Sequence, residues 1–254
     1  MENILNKKQI DDIKVCGRIL SEAIHKAADF CRAGVDTLSL DALAEEYLLT
    51  HGCRPAFKNY YVPGAGEFPF SLCVSVNNEI VHGLPSSERI LREADVVSLD
   101  LGAEYKGVFT DMAITVTVGP VSEDVKILIE STKEALNQGI SQVKAGNHIG
   151  DIGYSIEKYA LSKGLGIVRD YVGHGVGTGV HVQPQIPNFG TQNTGPVIEE
   201  GMALAIEPML TLGAGETSVH PNRWTVQSAD NSIAAHFEHT VVVIDGKPLV
   251  VTNS

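Results

Sequence analysis

Between residues 7 and 32, apolar side chains recur every three to four positions: Ile10, Ile13, Cys16, Leu20, Ile24, Ala27, Ala28 and Cys31. That spacing predicts a helix with one buried face. A turn at Ala33-Gly34 and a second helix over residues 39–51, closed by Gly52, follow from the next stretch. Residues 54–85 read as loop with short strands, clearest at 71–76. Residues 95–118 are apolar and β-branched, interrupted at 104–107, and predict a hairpin. With its turn centred on Tyr105-Lys106, Asp100 and Asp111 would stand directly opposite each other.

After Pro120 the order returns. Helices are predicted over residues 125–143 and 150–162, with a turn at Ala145-Gly146 and a closing Gly164. Strands are predicted over 167–172, 202–210, 224–228 and 234–244. The two Ala-Gly turns lie 112 residues apart, as do Gly52 and Gly164. This repetition predicts an internally duplicated α+β fold, with halves at about 7–119 and 120–248 of a single domain spanning residues 1–254.

Composition narrows the setting. Over 254 residues, 43% apolar and 20% charged content is ordinary for a soluble globular chain with a substantial core. The net charge of −12 opposes binding to phosphate backbones or anionic lipid, so neither nucleic acid nor membrane is an expected partner. No apolar run of the ~18 residues needed to span a bilayer occurs. The polar first twelve residues do not resemble a signal or transit peptide. Cys16, Cys31, Cys53 and Cys73 form no CxxC pair and no disulfide framework. A reducing cytoplasm is the expected location.

The candidate chemistry lies in acids that interrupt apolar strands. Asp100 follows Val96-Val97-Ser98-Leu99, and Asp111 precedes Met112-Ala113-Ile114. Like charges facing across a ladder repel, so a buried pair must share a proton or hold a cation. Two solvent-facing aspartates on an edge hairpin would give the same local pattern. Glu207 ends Met202-Ala203-Leu204-Ala205-Ile206, however, and Glu238 opens a run to Ile244, with no Lys or Arg close by in either segment. Four unpaired acids on core strands are costly unless cations join them. His174 lies between two glycines in Gly173-His174-Gly175, where backbone and ligand can approach closely. His82 and His181 are placed to act near the reacting centre. His239 should point to the face opposite Glu238, and the other histidines have no comparable context. One nitrogen and four carboxylates suit two divalent ions, Mn, Fe or Co, and also accept Zn. Such ions, about 3.5–4 Å apart, acidify a shared water and polarise a carbonyl.

The order of these residues, with Ile206-Glu207-Pro208-Met209 and Phe237-Glu238-His239-Thr240, resembles the methionine aminopeptidase family. Cys73-Val74-Ser75-Val76-Asn77, Val81-His82-Gly83-Leu84-Pro85, Gly173-His174-Gly175-Val176-Gly177 and Trp224-Thr225-Val226 look like its type I branch. The resemblance runs from about residue 8 to residue 251. It implies a pita-bread fold, two pseudo-symmetric helix-helix-strand halves around a curved antiparallel sheet. It also implies five ligands: Asp111 and Glu238 bridging two ions, Asp100 completing one site, and His174 with Glu207 the other. The implied reaction is removal of N-terminal methionine from nascent polypeptides, preferring a small second residue, by attack of a metal-bridging hydroxide. Glu207 would transfer the proton, His181 would stabilise the oxyanion, and His82 would position the amide. A monomer with transient ribosome contact is expected.

Phe68, Cys73 and Trp224 match walls of the methionine pocket, together with His82 and His181. Val62 and Ala65 stand where the family has Cys and Tyr, and Val180 where it has an aromatic. Ala234-Ala235-His236 replaces a Ser-Ala-Gln run. A wider slot is therefore expected unless Tyr60, Tyr61 or Phe68 refills it. The rival readings are a pita-bread aminopeptidase with broadened or Xaa-Pro specificity, and a non-catalytic binding module. The latter would be expected to have lost ligands, yet all five positions are filled.

Overall fold

A computed structural model describes residues 3–253. Among these, four α-helices form: α1 (Lys7–Asp29), α2 (Thr37–Thr50), α3 (Glu123–Ile140) and α4 (Ile149–Ser162). α1 starts at a reciprocal cap, in which the Asn6 side chain accepts from Gln9 N and the Gln9 side chain accepts from Asn6 N. This satisfies two helix-end donors. Its predicted stripe is buried, with Ile13, Leu20 and Ile24 fully covered. Each such side chain stabilises the fold by roughly 1.5–3 kcal/mol.

The largest sheet among the described residues has nine strands, all pairs antiparallel. Its central path runs from Val96–Tyr105 through Val108–Thr117, Glu238–Ile244 and Ala203–Ile206 to Gly173–Gly175 and Val182–Ile186. Leu72–Val76 lies beside Val96–Tyr105. α1 packs on the hairpin with α2 against it, and α3 packs on the second-half strands with α4 against it. Leu99, Leu101 and Ala103 join the main core. Side-chain alternation puts Asp100 and Gly102 on the other face.

The hairpin corrects one expectation. Tyr105 pairs with Val108, and Lys106 and Gly107 take φ of 51° and 81°. A two-residue turn that matches strand twist needs positive φ at both positions, and Gly107 adopts it without steric cost. The turn therefore centres on Lys106-Gly107. Asp100 stands opposite Ala113 and Asp111 opposite Gly102, so the aspartates are diagonal neighbours on one face.

Two predicted strands are also divided. Residues 202–210 break at Glu207-Pro208 into Ala203–Ile206 and Met209–Thr211, and proline has no N–H to continue the ladder. Residues 234–244 break at Phe237 into Ala234–His236 and Glu238–Ile244. At both breaks the chain crosses between the large sheet and a three-stranded sheet of Ala234–His236, Met209–Thr211 and Gly166–Ile167. Residues 167–172 and 224–228 are strands only at Gly166–Ile167 and Val226–Ser228. Glu207, His236 and Glu238 lie at the crossings.

Candidate metal centre

Register brings the acids together. Asp100, Ala113 and Glu238 form one row across three strands, and Ala205 pairs with both Thr240 and His174. One face therefore presents Asp100, Asp111, Glu238, Glu207 and His174. Thr240 fastens the arrangement: its hydroxyl accepts from Asp111 N and donates to Asp111 O, each at 2.8 Å. Donor atoms fall into three close groups: Asp100, Asp111 and Glu238; His174, Glu207 and Glu238; and Asp111, His174 and His181. Within each, they lie within 4.8 Å of one another.

The Gly-His-Gly segment follows from packing. A Cβ at Gly173 would lie 2.4 Å from Ala205 O, and one at Gly175 would lie 2.3 Å from Gln183 O. Only a strand without side chains at these positions fits between its neighbours. His174 Nδ1 lies 3.0 Å from Gly175 O, an arrangement that seats the ring proton there and leaves the Nε2 lone pair facing the acids. Nε2 is 3.4 Å from Glu207 Oε1 and 3.9 Å from Asp111 Oδ2.

Electrostatics fit a cation site. Burial raises Asp100 to about 7. Burial, and then repulsion among the acids, raises Asp111, Glu207 and Glu238 well above the usual carboxylate range. Burial, and then His181 nearby, lowers His174 to about 3, which keeps its imidazole neutral for ligation. Asp100 Oδ1 and Glu238 Oε1 are buried without a hydrogen-bond partner. Buried carboxylates with unpartnered oxygens, clustered with a free imidazole lone pair, match what divalent ions require.

All ten residues singled out from the sequence border one cavity of about 360 Å³. Phe68 meets Trp224 edge-on at 5.1 Å and belongs to a small apolar cluster with Phe57, Cys73 and Val180. Cys73 stands opposite Asp100 in the ladder, and burial pushes its thiol up strongly. It stays neutral and acts as wall. His82 takes φ 58°, a left-handed conformation that costs a side chain about 1–3 kcal/mol. Close packing of Gly83 on Val74 holds it there, since a Cβ at Gly83 would lie 2.1 Å from Val74 O. Burial lowers His82 to about 4, and its ring stands edge-on to Tyr171 at 5.7 Å. His239 turns away, as expected, and its Nδ1 lies 2.9 Å from Thr252 Oγ1.

Sequence reasoning missed Phe57, Tyr171 and His236, but Tyr60 was among the residues expected to refill the slot. Phe57, Tyr60 and Tyr171 line the cavity, whereas Ala65 and the exposed Tyr61 do not. Tyr60 meets His181 at 5.0 Å. His236, set aside with the histidines lacking context, is 1% exposed, with Nε2 3.7 Å from Glu207 Oε2. Burial lowers it to about 3. Strand alternation from Glu238 would have placed it on the same face.

A deep cavity floored by buried acids and one neutral imidazole, on strands of a duplicated-looking α+β sheet, defines a divalent-metal hydrolase. The chain belongs to metallopeptidase family M24, whose model matches residues 11–245. It is 41% identical over 249 residues to the methionine aminopeptidase of Clostridium acetobutylicum, covering 98% of each chain. The crystal structure of methionine aminopeptidase from Thermotoga maritima superposes with a TM-score of 0.96 at 38% identity, covering both chains fully. That from Rickettsia prowazekii gives 0.95 at 34% identity, again over both whole chains. The fold is the pita-bread fold that the sequence implied.

Proposed function

We propose that this protein is a methionine aminopeptidase, which hydrolyses the peptide bond after an N-terminal methionine. The observation that carries this reading is one cavity joining five potential metal donors to an apolar wall of Phe57, Phe68 and Trp224. Full-length similarity to methionine aminopeptidases supports it.

Asp100, Asp111, His174, Glu207 and Glu238 would hold two divalent ions, of Mn, Fe, Co or Zn. Glu238 belongs to two donor groups, and Asp111 to one group with Asp100 and another with His174, so either acid could serve more than one ion. Four ionised carboxylates also balance the charge of two such ions. When bound, the ions supply an acidified water and polarisation of the scissile carbonyl. Glu207, which belongs to a donor group and also lines the cavity, would take and return the proton. His181 donates to the developing oxyanion, and His82 orients the scissile amide. The wall receives the methionine side chain.

The substrates are polypeptide N-termini with a small second residue, met in the cytoplasm by a monomer in transient contact with ribosomes. No helix among the described residues is long and apolar enough to cross a membrane. The chain is a single domain of two related halves. Gly34 and Gly146 share φ of 91° and 95°, and Gly52 and Gly164 share 79° and 71°, in support of that duplication.

The test is turnover of Met-Ala-Ser against Xaa-Pro peptides after chelation and readdition of Mn, Fe, Co or Zn. Metal-restored cleavage of Met-Ala-Ser alone is expected. Preference for Xaa-Pro would move the chain to another M24 activity, and no turnover with any metal would make it a binding module.

A further inference from the structure

His236 is fully buried, and neither ring nitrogen has a hydrogen-bond partner. Leaving buried polar groups unsatisfied is destabilising. Its backbone is well held: His236 N donates to Thr115 Oγ1 at 2.9 Å, and Thr115 Oγ1 donates back to His236 O at 2.8 Å. His236 Cα also pairs with that of Met209, two residues beyond Glu207. The two crossings between sheets therefore fix the imidazole beside the Glu207 carboxylate.

The carboxylate has two differently placed oxygens. Oε1 lies 3.4 Å from His174 Nε2, within the ligand cluster. Oε2 lies 3.7 Å from His236 Nε2, and His236 does not line the cavity. An ionised carboxylate ligand needs a donor on its outer oxygen in a buried setting, and such outer contacts orient ligands and tune metal affinity.

We propose that His236 is a positioning residue, whose Nε2–H holds Glu207 Oε2 so that Oε1 is presented to the metal. The usual order, a carboxylate supporting a ligand histidine, is reversed at this ligand. At 3.7 Å the two atoms are neighbours outside hydrogen-bond distance, and a small rotation of the Glu207 carboxylate would bring them into bonding range. His236 acts through Glu207 and touches no reacting atom. The inference rests on the metal-centre reading above.

The test compares wild type with His236→Leu, which has no donor, and His236→Gln, which keeps an N–H. Metal affinity is measured by calorimetry with Co(II) and Mn(II), alongside the absorption spectrum of the Co(II)-loaded protein and steady-state kinetics. His236→Leu should weaken metal binding and lower kcat by about 10–100-fold, shift the Co(II) spectrum and leave KM nearly unchanged. Its metal-free Tm should not fall, because two unpartnered nitrogens are removed. His236→Gln should recover most of the affinity and the spectrum. If the leucine variant fails to fold, His236→Met serves as the donor-free comparison. Wild-type affinity and spectrum in a donor-free variant would overturn the proposal, as would equal losses in the glutamine and donor-free variants. Wild type that takes up no divalent ion would instead remove the metal centre itself.

Discussion

The floor and the wall of the cavity are built in opposite ways. Asp100, Asp111, Glu238 and His174 sit on strands locked by consecutive ladder pairs in the largest sheet. Phe57, Tyr60, Val62 and Phe68 of the wall come from residues 57–68, where regular structure is limited to the two-residue strands Tyr61–Val62 and Gly66–Glu67. That segment is closed by Asn59 N donating to Phe68 O and Phe68 N donating to Tyr60 O. A reaction centre needs donor atoms fixed to fractions of an ångström, and sheet register supplies this. A side-chain pocket needs only surface of the right shape, so different residues can fill the same space. Here Phe57 presses against Gly102 and shares a cluster with Val180.

Substitutions in the two regions should therefore fail differently. The largest effect is expected at the floor. Glu238→Ala removes the acid common to two donor groups, so metal stoichiometry should fall, and turnover should drop by more than the roughly 100–1,000-fold caused by losing one oxyanion donor. An active variant retaining two ions would break the assignment of the floor.

His181 stands between the regions, near both His174 and Tyr60. His181→Ala should lower kcat by about 10–1,000-fold with metal content unchanged. Because His181 also falls in a donor group with Asp111 and His174, metal analysis of this variant is decisive. Loss of an ion would make His181 a ligand.

Smaller changes belong to the wall. Phe57→Ala should leave metal content and Met-Ala-Ser kcat near wild type. It should reduce the preference for Met-Ala-Ser over Phe-Ala-Ser by about 10-fold or more, the low end being the scale of one lost methylene contact. Unchanged selectivity would show that Tyr60 and Phe68 define the slot without Phe57.

The mildest test uses pH. Asp100 is held near 7 in the metal-free fold, against an ordinary 3.8. A raised carboxyl contributes stability that is complete below its unfolded pKa and lost as pH rises through the folded one. His174 and His236, lowered from 6.5 to about 3, act oppositely below pH 6.5, where unfolding lets them take up protons. Above 6.5 the carboxyls alone set the slope. The Tm of metal-free protein should therefore fall between pH 6.5 and about 8, whereas metal-loaded protein should gain Tm there, since binding displaces carboxyl protons. Parallel slopes would separate the buried acids from metal binding.

The sequence by itself determined which residues could form the floor. Four acids without cationic neighbours, each beside an apolar run, are legible because burying such groups is too costly without a purpose. Helical spacing similarly fixed α1 to α4 to within a few positions, and the hairpin to within one turn residue. Tertiary structure decided the rest. It set the diagonal offset of Asp100 and Asp111, because turn geometry rather than composition sets register. It put Phe57 and Tyr60 on the wall, because an irregular loop has no period to read. It also brought His236 to Glu207: the two lie on separate crossings between sheets, and only closing both sheets places the imidazole 3.7 Å from the carboxylate.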